Sequence, residues 1–136
     1  MFKFKIATPE GVVYENNISQ VSIPTSTGEI TILEHHIPLI SVIIPGELKI
    51  VDEFGLHILA VANGFLEVQK NNGVVILIDN AERVEEIDVA RAEEAQTRAE
   101  EDMKHAHQEE NIDFARLQAM IDKETNRIRV GRKYKK

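Results

Sequence analysis

The stretch VVILIDNAERVEEIDVARAEEAQTRA, residues 74–99, contains the change of pattern that decides the fold. Its first part, Val74 to Ile78, is a run of β-branched and aliphatic residues, which is typical of a buried strand. From Glu82 to Gln108 the chain is rich in Ala and Glu, both good helix formers, and contains no Gly or Pro. The sequence therefore predicts strands before about residue 81 and helices after it.

On the N-terminal side, short apolar runs are separated by turn signals such as Pro45-Gly46 and Asn63-Gly64. The predicted strands are 2–6, 18–23, 30–33, 40–44, 48–51, 56–61, 65–68 and 74–78. No long helical pattern interrupts these runs, which disfavours a parallel α/β sheet. The pattern instead predicts an antiparallel β-sandwich or barrel.

On the C-terminal side, small apolar residues recur every three or four positions, which predicts a helix from Glu82 to Gln108. Asp88 is an early or capping acid of this helix. A second helix is predicted from an N-cap near Asn111 to Gly131, which would end it, and the polar segment 107–111 favours an antiparallel hairpin. The apolar face of the first helix consists largely of Ala and buries little apolar area, so the hairpin could detach from the sandwich or open at small cost. The alternative explanation is that Ala is present only because it is the best helix former.

The composition excludes several classes of protein. The chain has 136 residues and no Cys, so it has no disulfide framework, thiolate nucleophile or Cys-bound zinc. Its apolar runs are too short to span a bilayer, and the alternating first residues lack the apolar region of a signal peptide. We therefore expect a soluble intracellular protein.

The formal net charge of -7 hides an uneven distribution. Residues 1–80 carry -5, residues 81–110 carry -7, and residues 111–136 carry +5. The basic residues of the last segment are Arg116, Lys123, Arg127, Arg129, Arg132, Lys133, Lys135 and Lys136. They either dock on an acidic partner or merely complement the dipole at a helix C-terminus.

A series of short motifs resembles one protein family along essentially the whole chain. They are Thr8-Pro9-Glu10-Gly11 with Val13-Tyr14-Glu15, Ile23-Pro24, Gly28-Glu29, Ile32-Leu33 with His36 and Pro38, Pro45-Gly46, Ala62 to Val68, and Asp79-Asn80-Ala81-Glu82. In this order, ahead of two helices, they resemble the epsilon subunit of bacterial F-type ATP synthases. The resemblance implies a ten-stranded β-sandwich over residues 1–81 and a regulatory helical hairpin over 82–136.

The resemblance also implies a function. It predicts a non-catalytic central-stalk subunit at the cytoplasmic face of the cell membrane, attached to the membrane only through the complex. The sandwich would bind the gamma subunit and the c-ring, which helps couple proton-driven rotation to ATP synthesis. The hairpin would extend into the catalytic head and inhibit ATP hydrolysis, with its basic second helix against the alpha and beta subunits.

Ile87-Asp88-Val89-Ala90-Arg91-Ala92 resembles a motif with which some of these subunits bind ATP. Asp88 and Arg91 are i,i+3 neighbours, and Arg98 lies on the same face as Arg91, so two guanidinium groups could clamp a polyphosphate. The alternative is a simple intrahelical ion pair between Asp88 and Arg91. The resemblance implies the further contacts Glu82 and Arg127, with Lys123 where another Arg is usual. The resemblance implies no required cofactor and makes ATP a regulatory ligand. It leaves open whether Mg²⁺ accompanies the nucleotide.

Other chemistry finds little support in the sequence. There is no phosphate-binding loop, no matched carboxylate pair and no recognisable Ser-His-Asp arrangement, so we expect no enzyme activity. The aromatic content of 5% and the single basic segment disfavour nucleic-acid binding. Two functions remain: the motor subunit, and a free-standing ATP-binding sensor that acts without the motor.

Overall fold

The computed structural model describes residues 1–105 and 114–134, and the chain divides into two compact units, Met1–Arg83 and Val84–Lys136. The strands of the first unit are β1 (Phe2–Thr8), β2 (Gly11–Ile18), β3 (Gln20–Thr25), β4 (Gly28–Leu33), β5 (Leu39–Ile43), β6 (Gly46–Asp52), β7 (Gly55–Val61), β8 (Gly64–Val68), β9 (Val74–Ile78) and β10 (Ala81–Arg83). The second unit contains a 3-10 turn (Val84–Glu86) and the helices α1 (Val89–His105) and α2 (Phe114–Tyr134). The predicted class, a ten-stranded sandwich followed by two helices, is confirmed.

The strands form one continuous sheet that folds over a common core. Their order is β10-β7-β6-β3-β5-β8-β9-β1-β2, with β4 paired to β3. All pairs are antiparallel except β1 and β9, whose parallel pairing the sequence pattern does not predict. The pattern also misses β2, because Asn16-Asn17 is typical of a turn whereas here these residues pair with Phe4 and Lys3 of β1.

Buried and exposed residues alternate along the strands, and the buried ones form the core. In β1, Phe2, Phe4 and Ile6 are buried, whereas the intervening lysines are not. The same alternation in β6, β8 and β9, and Val21 and Ile23 of β3, add mainly Ile, Leu and Val to one apolar cluster. Burying such side chains stabilises the fold by roughly 1.5–3 kcal/mol each before chain entropy is subtracted. The strand unit therefore has a dense aliphatic interior.

The first helix begins later than the pattern predicts. Residues from Glu82 have helical propensity, but Ala81–Arg83 pair with Leu59–Val61 of β7, and helix α1 starts only at Val89. Propensity is a weak preference, and a sheet edge with open hydrogen-bonding groups overrides it here. The predicted end at Gln108, the turn at 107–111 and the N-cap at Asn111 lie outside the described residues.

The two helices run antiparallel. Gln96 Nε2 of α1 donates to Thr125 Oγ1 of α2 at 2.8 Å, and Glu93 pairs with Arg132 further along α2. Helix α2 continues to Tyr134, so the prediction that Gly131 ends it is wrong. A Cβ at Gly131 would lie 2.7 Å from Val89 Cγ2. This glycine therefore permits a close approach between α2 and the start of α1.

Among the described helices, neither is both long enough and apolar enough to cross a bilayer.

Candidate functional site

Asp88 caps the first helix. Its Oδ1 accepts the backbone N–H of Arg91 at 3.1 Å, and its carbonyl oxygen accepts the N–H of Ala92 at 3.0 Å. A carboxylate in this position satisfies an otherwise unpaired amide and interacts favourably with the helix dipole. Within residues 1–105 and 114–134 no side-chain ion pair joins Asp88 to Arg91. The sequence-based alternative of an intrahelical ion pair is therefore replaced by a cap.

The other residues predicted to bind ATP in and next to α1 fall into two groups, exposed and buried. Arg91 and Arg98 are exposed and have no carboxylate partner in the described part of the chain. Their guanidinium groups can therefore meet an anion in solvent without first breaking an ion pair. Ile87 and Ala92 are buried, so in this conformation they hold the motif in place rather than present a surface to a ligand.

Glu82 lies in the other unit. It belongs to β10, where it pairs with Ala60 of β7, and it is half-buried. The predicted ligand set is thus divided between the strand unit and the helical unit. Sequence reasoning places Glu82 at the start of a helix, whereas the strand pairing of Ala81–Arg83 determines its orientation.

The two cations predicted on α2 are brought together by a carboxylate that the sequence analysis did not single out. Glu124 Oε2 lies 2.7 Å from Arg127 Nη1, and Glu124 Oε1 lies 3.7 Å from Lys123 Nζ. The exposed fractions of the Glu124 and Arg127 side chains are 7% and 18%. A charged residue inside a helical apolar pattern is the only sequence signal for this cluster.

Several cations of the basic C-terminal segment are engaged within the helical unit itself. Arg132 pairs with Glu93, and Arg129 Nη2 donates to Asn126 Oδ1 at 2.6 Å. The pairs with Glu93 and Glu124 reduce the positive charge that this conformation offers to a partner, whereas the bond of Arg129 to the neutral Asn126 only orients its side chain. Lys135 and Lys136 lie outside the described residues.

A row of exposed apolar side chains crosses three neighbouring strands. Val42 of β5 is opposite Phe65 of β8, which is opposite Leu77 of β9, and their exposed fractions are 46%, 60% and 57%. We call these three residues the apolar row. They line a shallow groove of about 490 Å³ together with Thr8 and Pro9. These three side chains form a contiguous exposed apolar surface on the strand unit.

A polar network inside the strand unit links residues that the sequence analysis did not associate. The Tyr14 hydroxyl donates to Asp52 Oδ2 at 2.7 Å, the Phe54 amide donates to Asp52 Oδ1 at 2.8 Å, and His57 Nε2 lies 3.0 Å from Oδ1. Burial opposes ionisation of Asp52, but Tyr14, Phe54 and His57 hold its pKa below the ordinary value. Burial and the bond to Asp52 raise the pKa of Tyr14 to about 12.

No metal site accompanies these clusters: in the described ranges there is no group of three or more His, Cys, Asp or Glu that could hold an ion. His35 and His36 instead occupy a loop, where His35 has a φ of 65° and its amide donates to Asn72 Oδ1 at 2.8 Å.

Comparisons with known proteins cover nearly the whole chain. Residues 1–84 match the family described as ATP synthase, Delta/Epsilon chain, beta-sandwich domain, and residues 85–131 match its long alpha-helix domain. A protein named ATP synthase epsilon chain from Halalkalibacterium halodurans is 40% identical over 93% of each chain. One of the same name from Ruminococcus albus is 33% identical over 98% of each chain.

Solved structures share the fold. A chain of the Euglena gracilis mitochondrial ATP synthase, in a structure of OSCP, F1 and the c-ring, matches with a TM-score of 0.70 and 21% identity. That match covers 98% of this chain and 81% of the other. A chain of the Tetrahymena thermophila mitochondrial ATP synthase central stalk and c-ring matches with a TM-score of 0.61 and 15% identity, over 99% and 96% of the two chains.

Proposed function

Because the chain belongs to the epsilon-subunit family of bacterial F-type ATP synthases, we propose that it is a non-catalytic rotor subunit of the central stalk. In this role it helps couple proton-driven rotation to ATP synthesis and regulates ATP hydrolysis. The observation that carries the proposal is the unbroken succession of both family domains over residues 1–131. The protein would lie at the cytoplasmic face of the cell membrane, attached through the complex alone.

The strand unit acts as the adapter in this proposal, binding the gamma subunit and the c-ring. The apolar row supports it, because three large side chains exposed side by side are costly in water unless a partner covers them. The dense aliphatic core of the strand unit suits an element that transmits torque. It needs no cofactor and no catalytic group.

Co-purification with the gamma subunit tests the adapter role. Phe65→Glu places a charge in the centre of the apolar row, and we expect about 30-fold weaker retention of gamma. Leu56→Glu is the matched control, because Leu56 is equally exposed but belongs to a strand away from the row. Equal retention by both variants would contradict docking through the row, and failure of the unmodified chain to retain gamma would contradict the motor role.

The helical unit acts as the regulator. In its extended form α2 would enter the catalytic head and contact the alpha and beta subunits through its basic residues, which inhibits hydrolysis. The antiparallel form described above would be the one that binds ATP, through Asp88, Arg91, Arg98, Arg127 and Lys123. Glu82 remains a contact that the family resemblance alone implies. A ligand that binds only this form stabilises it by about 1.4 kcal/mol at a tenfold excess over Kd.

Two measurements test the regulatory role. Calorimetric titration of the isolated protein should give heat with millimolar ATP, and Arg91→Ala should reduce or abolish it. In the whole complex, inhibition of hydrolysis should be relieved as ATP rises, and Arg91→Ala should shift the relief to higher ATP. Identical ATPase rates for the two proteins at every ATP concentration would refute the ATP-gated mechanism.

A further inference from the structure

Helix α2 contains a buried carboxylate. Glu124 is only 6% exposed, although it lies on a helix with exposed acidic positions such as Asp122. An ionised carboxylate is removed from water at a large cost unless cations or hydrogen-bond donors compensate for it. Its compensation comes from the same helix.

Each oxygen of this carboxylate faces a different cation. Oε2 accepts from Arg127 Nη1 at 2.7 Å, a distance typical of a charge-assisted hydrogen bond. Oε1 lies 3.7 Å from Lys123 Nζ, within ion-pair range. The three side chains together therefore carry a net charge of one positive unit rather than two.

Lys123 and Arg127 are the two α2 residues of the proposed ATP site, and as cations they suit the phosphates of the nucleotide. We propose that Glu124 is an internal competitor of the nucleotide: its carboxylate occupies Arg127 and Lys123 in the absence of ligand, and phosphate oxygens must displace it. This inference rests on the proposed ATP-binding function and adds the residue that determines at what ATP concentration the hairpin responds.

The physical reason lies in the similarity of the competing groups. A carboxylate and a phosphate can each present two oxygens to the donors of a guanidinium, so one can replace the other on Arg127. Displacement leaves Glu124 buried and less well paired, which is unfavourable. On α1 the situation is different, because Arg91 and Arg98 have no carboxylate partner in the described residues. The α1 cations are therefore ready for an anion, whereas Arg127 must first exchange its bond to Glu124 and the positive charge of Lys123 is partly neutralised.

Glu124→Gln tests the inference in the full-length protein. The amide keeps the size of the side chain but removes a negative charge next to the phosphates, so we expect the Kd for ATP to fall by at least about tenfold. Calorimetric titration with ATP measures it. Asp122→Asn is the matched control, because it removes the same charge from an exposed position on α2 whose recorded partner is Gln118. Its Kd should stay within about twofold of the unmodified value.

A double variant separates competition from a general change of structure. Glu124→Gln should raise the affinity for ATP much less in a protein that already carries Arg127→Gln than in the unmodified protein, since the cation to be released is gone. Circular dichroism at 222 nm monitors the helices. If Glu124→Gln does not fold, Glu124→Met replaces it, because an unbranched apolar side chain of similar length suits a buried position.

The outcomes distinguish this inference from the function on which it rests. Tighter ATP binding by Glu124→Gln or Glu124→Met, with no gain in Asp122→Asn, supports competition. The same holds if the unmodified protein shows no measurable ATP binding and only the Glu124 variants bind. If the unmodified protein binds ATP and the folded Glu124 variants bind no more tightly, the inference fails and the ATP site stands. An equal gain in Asp122→Asn also overturns it. If no protein in the series binds ATP, both proposals fall.

Discussion

The strand unit and the helical unit bury different kinds of side chain. The interior of the strand unit is built from large aliphatic residues such as Ile6, Ile50 and Leu66, all fully buried. Helix α1 instead buries only Ala92 and Ala99, and α2 buries Gly131 and the polar Glu124 and Asn126 beside two aliphatic residues, Ile128 and Val130. Because apolar burial is worth roughly 25 cal/mol per Å², the helical unit gains less per residue than the sandwich. The strand unit is thus stabilised to stay folded, whereas the equilibrium between conformations of the helical unit is one that a ligand can shift.

The polar residues inside the two units differ in the same way. Asp52 of the strand unit accepts from three groups, one on β2 and two on its own β6–β7 hairpin, an arrangement that resists rearrangement because several bonds would break together. Glu124 of the helical unit is held by its own helix neighbours. These local pairs can exchange with another anion without unfolding the helix.

The largest expected effect is in the strand core. Ile50→Ala should lower the free energy of unfolding by about 3.5 kcal/mol, because it removes three buried carbons and leaves a cavity. Urea denaturation of the full chain measures the change. Ile40→Ala, at a position that is 75% exposed, is the control and should change stability by less than about 0.5 kcal/mol. Similar losses in the two variants would contradict the concentration of stability in the core.

The next effect is at the close approach of the two helices. Gly131→Val should destabilise the antiparallel hairpin by about 2 kcal/mol, because the added side chain overlaps Val89 and Ile87. Native-state hydrogen exchange should show faster exchange of α1 amides while strand amides keep their protection. Adding Val89→Ala should recover part of the loss, and equal acceleration in both units would contradict the independence of the hairpin.

A smaller effect is expected in the Asp52 network. Tyr14→Phe removes one donor from a buried carboxylate and should cost about 1.5 kcal/mol near pH 7. The lowered pKa of Asp52 makes its contribution complete above the ordinary carboxyl range, and the contribution is lost as pH falls through the folded-state value. The raised pKa of Tyr14 makes its own contribution complete below 10.0 and lost as pH rises to about 12.

Unfolding measured from pH 2 to 11 therefore tests the network. The stability difference between Tyr14→Phe and the unmodified chain should be greatest in the neutral range and should shrink in strong acid and above about pH 10. A difference that does not vary with pH would mean that the Tyr14 hydroxyl contributes without any link to ionisation.

The smallest effect is at the exposed ion pair between the helices. Arg132→Gln breaks its pairing with Glu93 and should cost less than about 0.5 kcal/mol, because both side chains are largely in water. The difference should disappear in 1 M salt, where exposed charges are screened. A loss comparable to that of Gly131→Val would show that charge, rather than close packing, holds the hairpin together.

Much of the fold follows from local pattern. Seven of the predicted apolar runs lie within β3 to β9 or overlap them, and the helical period predicts both α1 and α2. The failures have physical causes. The segment Ala81–Arg83 has residues that favour a helix, but it forms an edge strand of the sheet. Gly131 is a residue type that commonly ends helices, but it lies inside α2, where the helix contacts Val89. In both places a tertiary contact outweighs a propensity worth about 1 kcal/mol or less per residue.

The candidate sites were predictable to a smaller extent. Asp88 was expected as an early or capping acid because a cap depends on residues only three apart. The ion pairing of Arg127 was not predictable, because its partner Glu124 becomes buried only when α2 packs. The apolar row needs the register of three strands, which no single stretch of sequence contains.

By itself the sequence determined the succession of strands and helices, the uneven charge and the family resemblance, because hydrophobic period, helix propensity and motif order are local properties of a chain. Only the tertiary structure decided which polar groups are buried and with whom they pair. Tyr14 meets Asp52 across 38 positions of sequence because β2 and β6 approach each other. Such pairings depend on packing and register, since a carboxylate becomes costly to leave unpaired only after folding has removed its water.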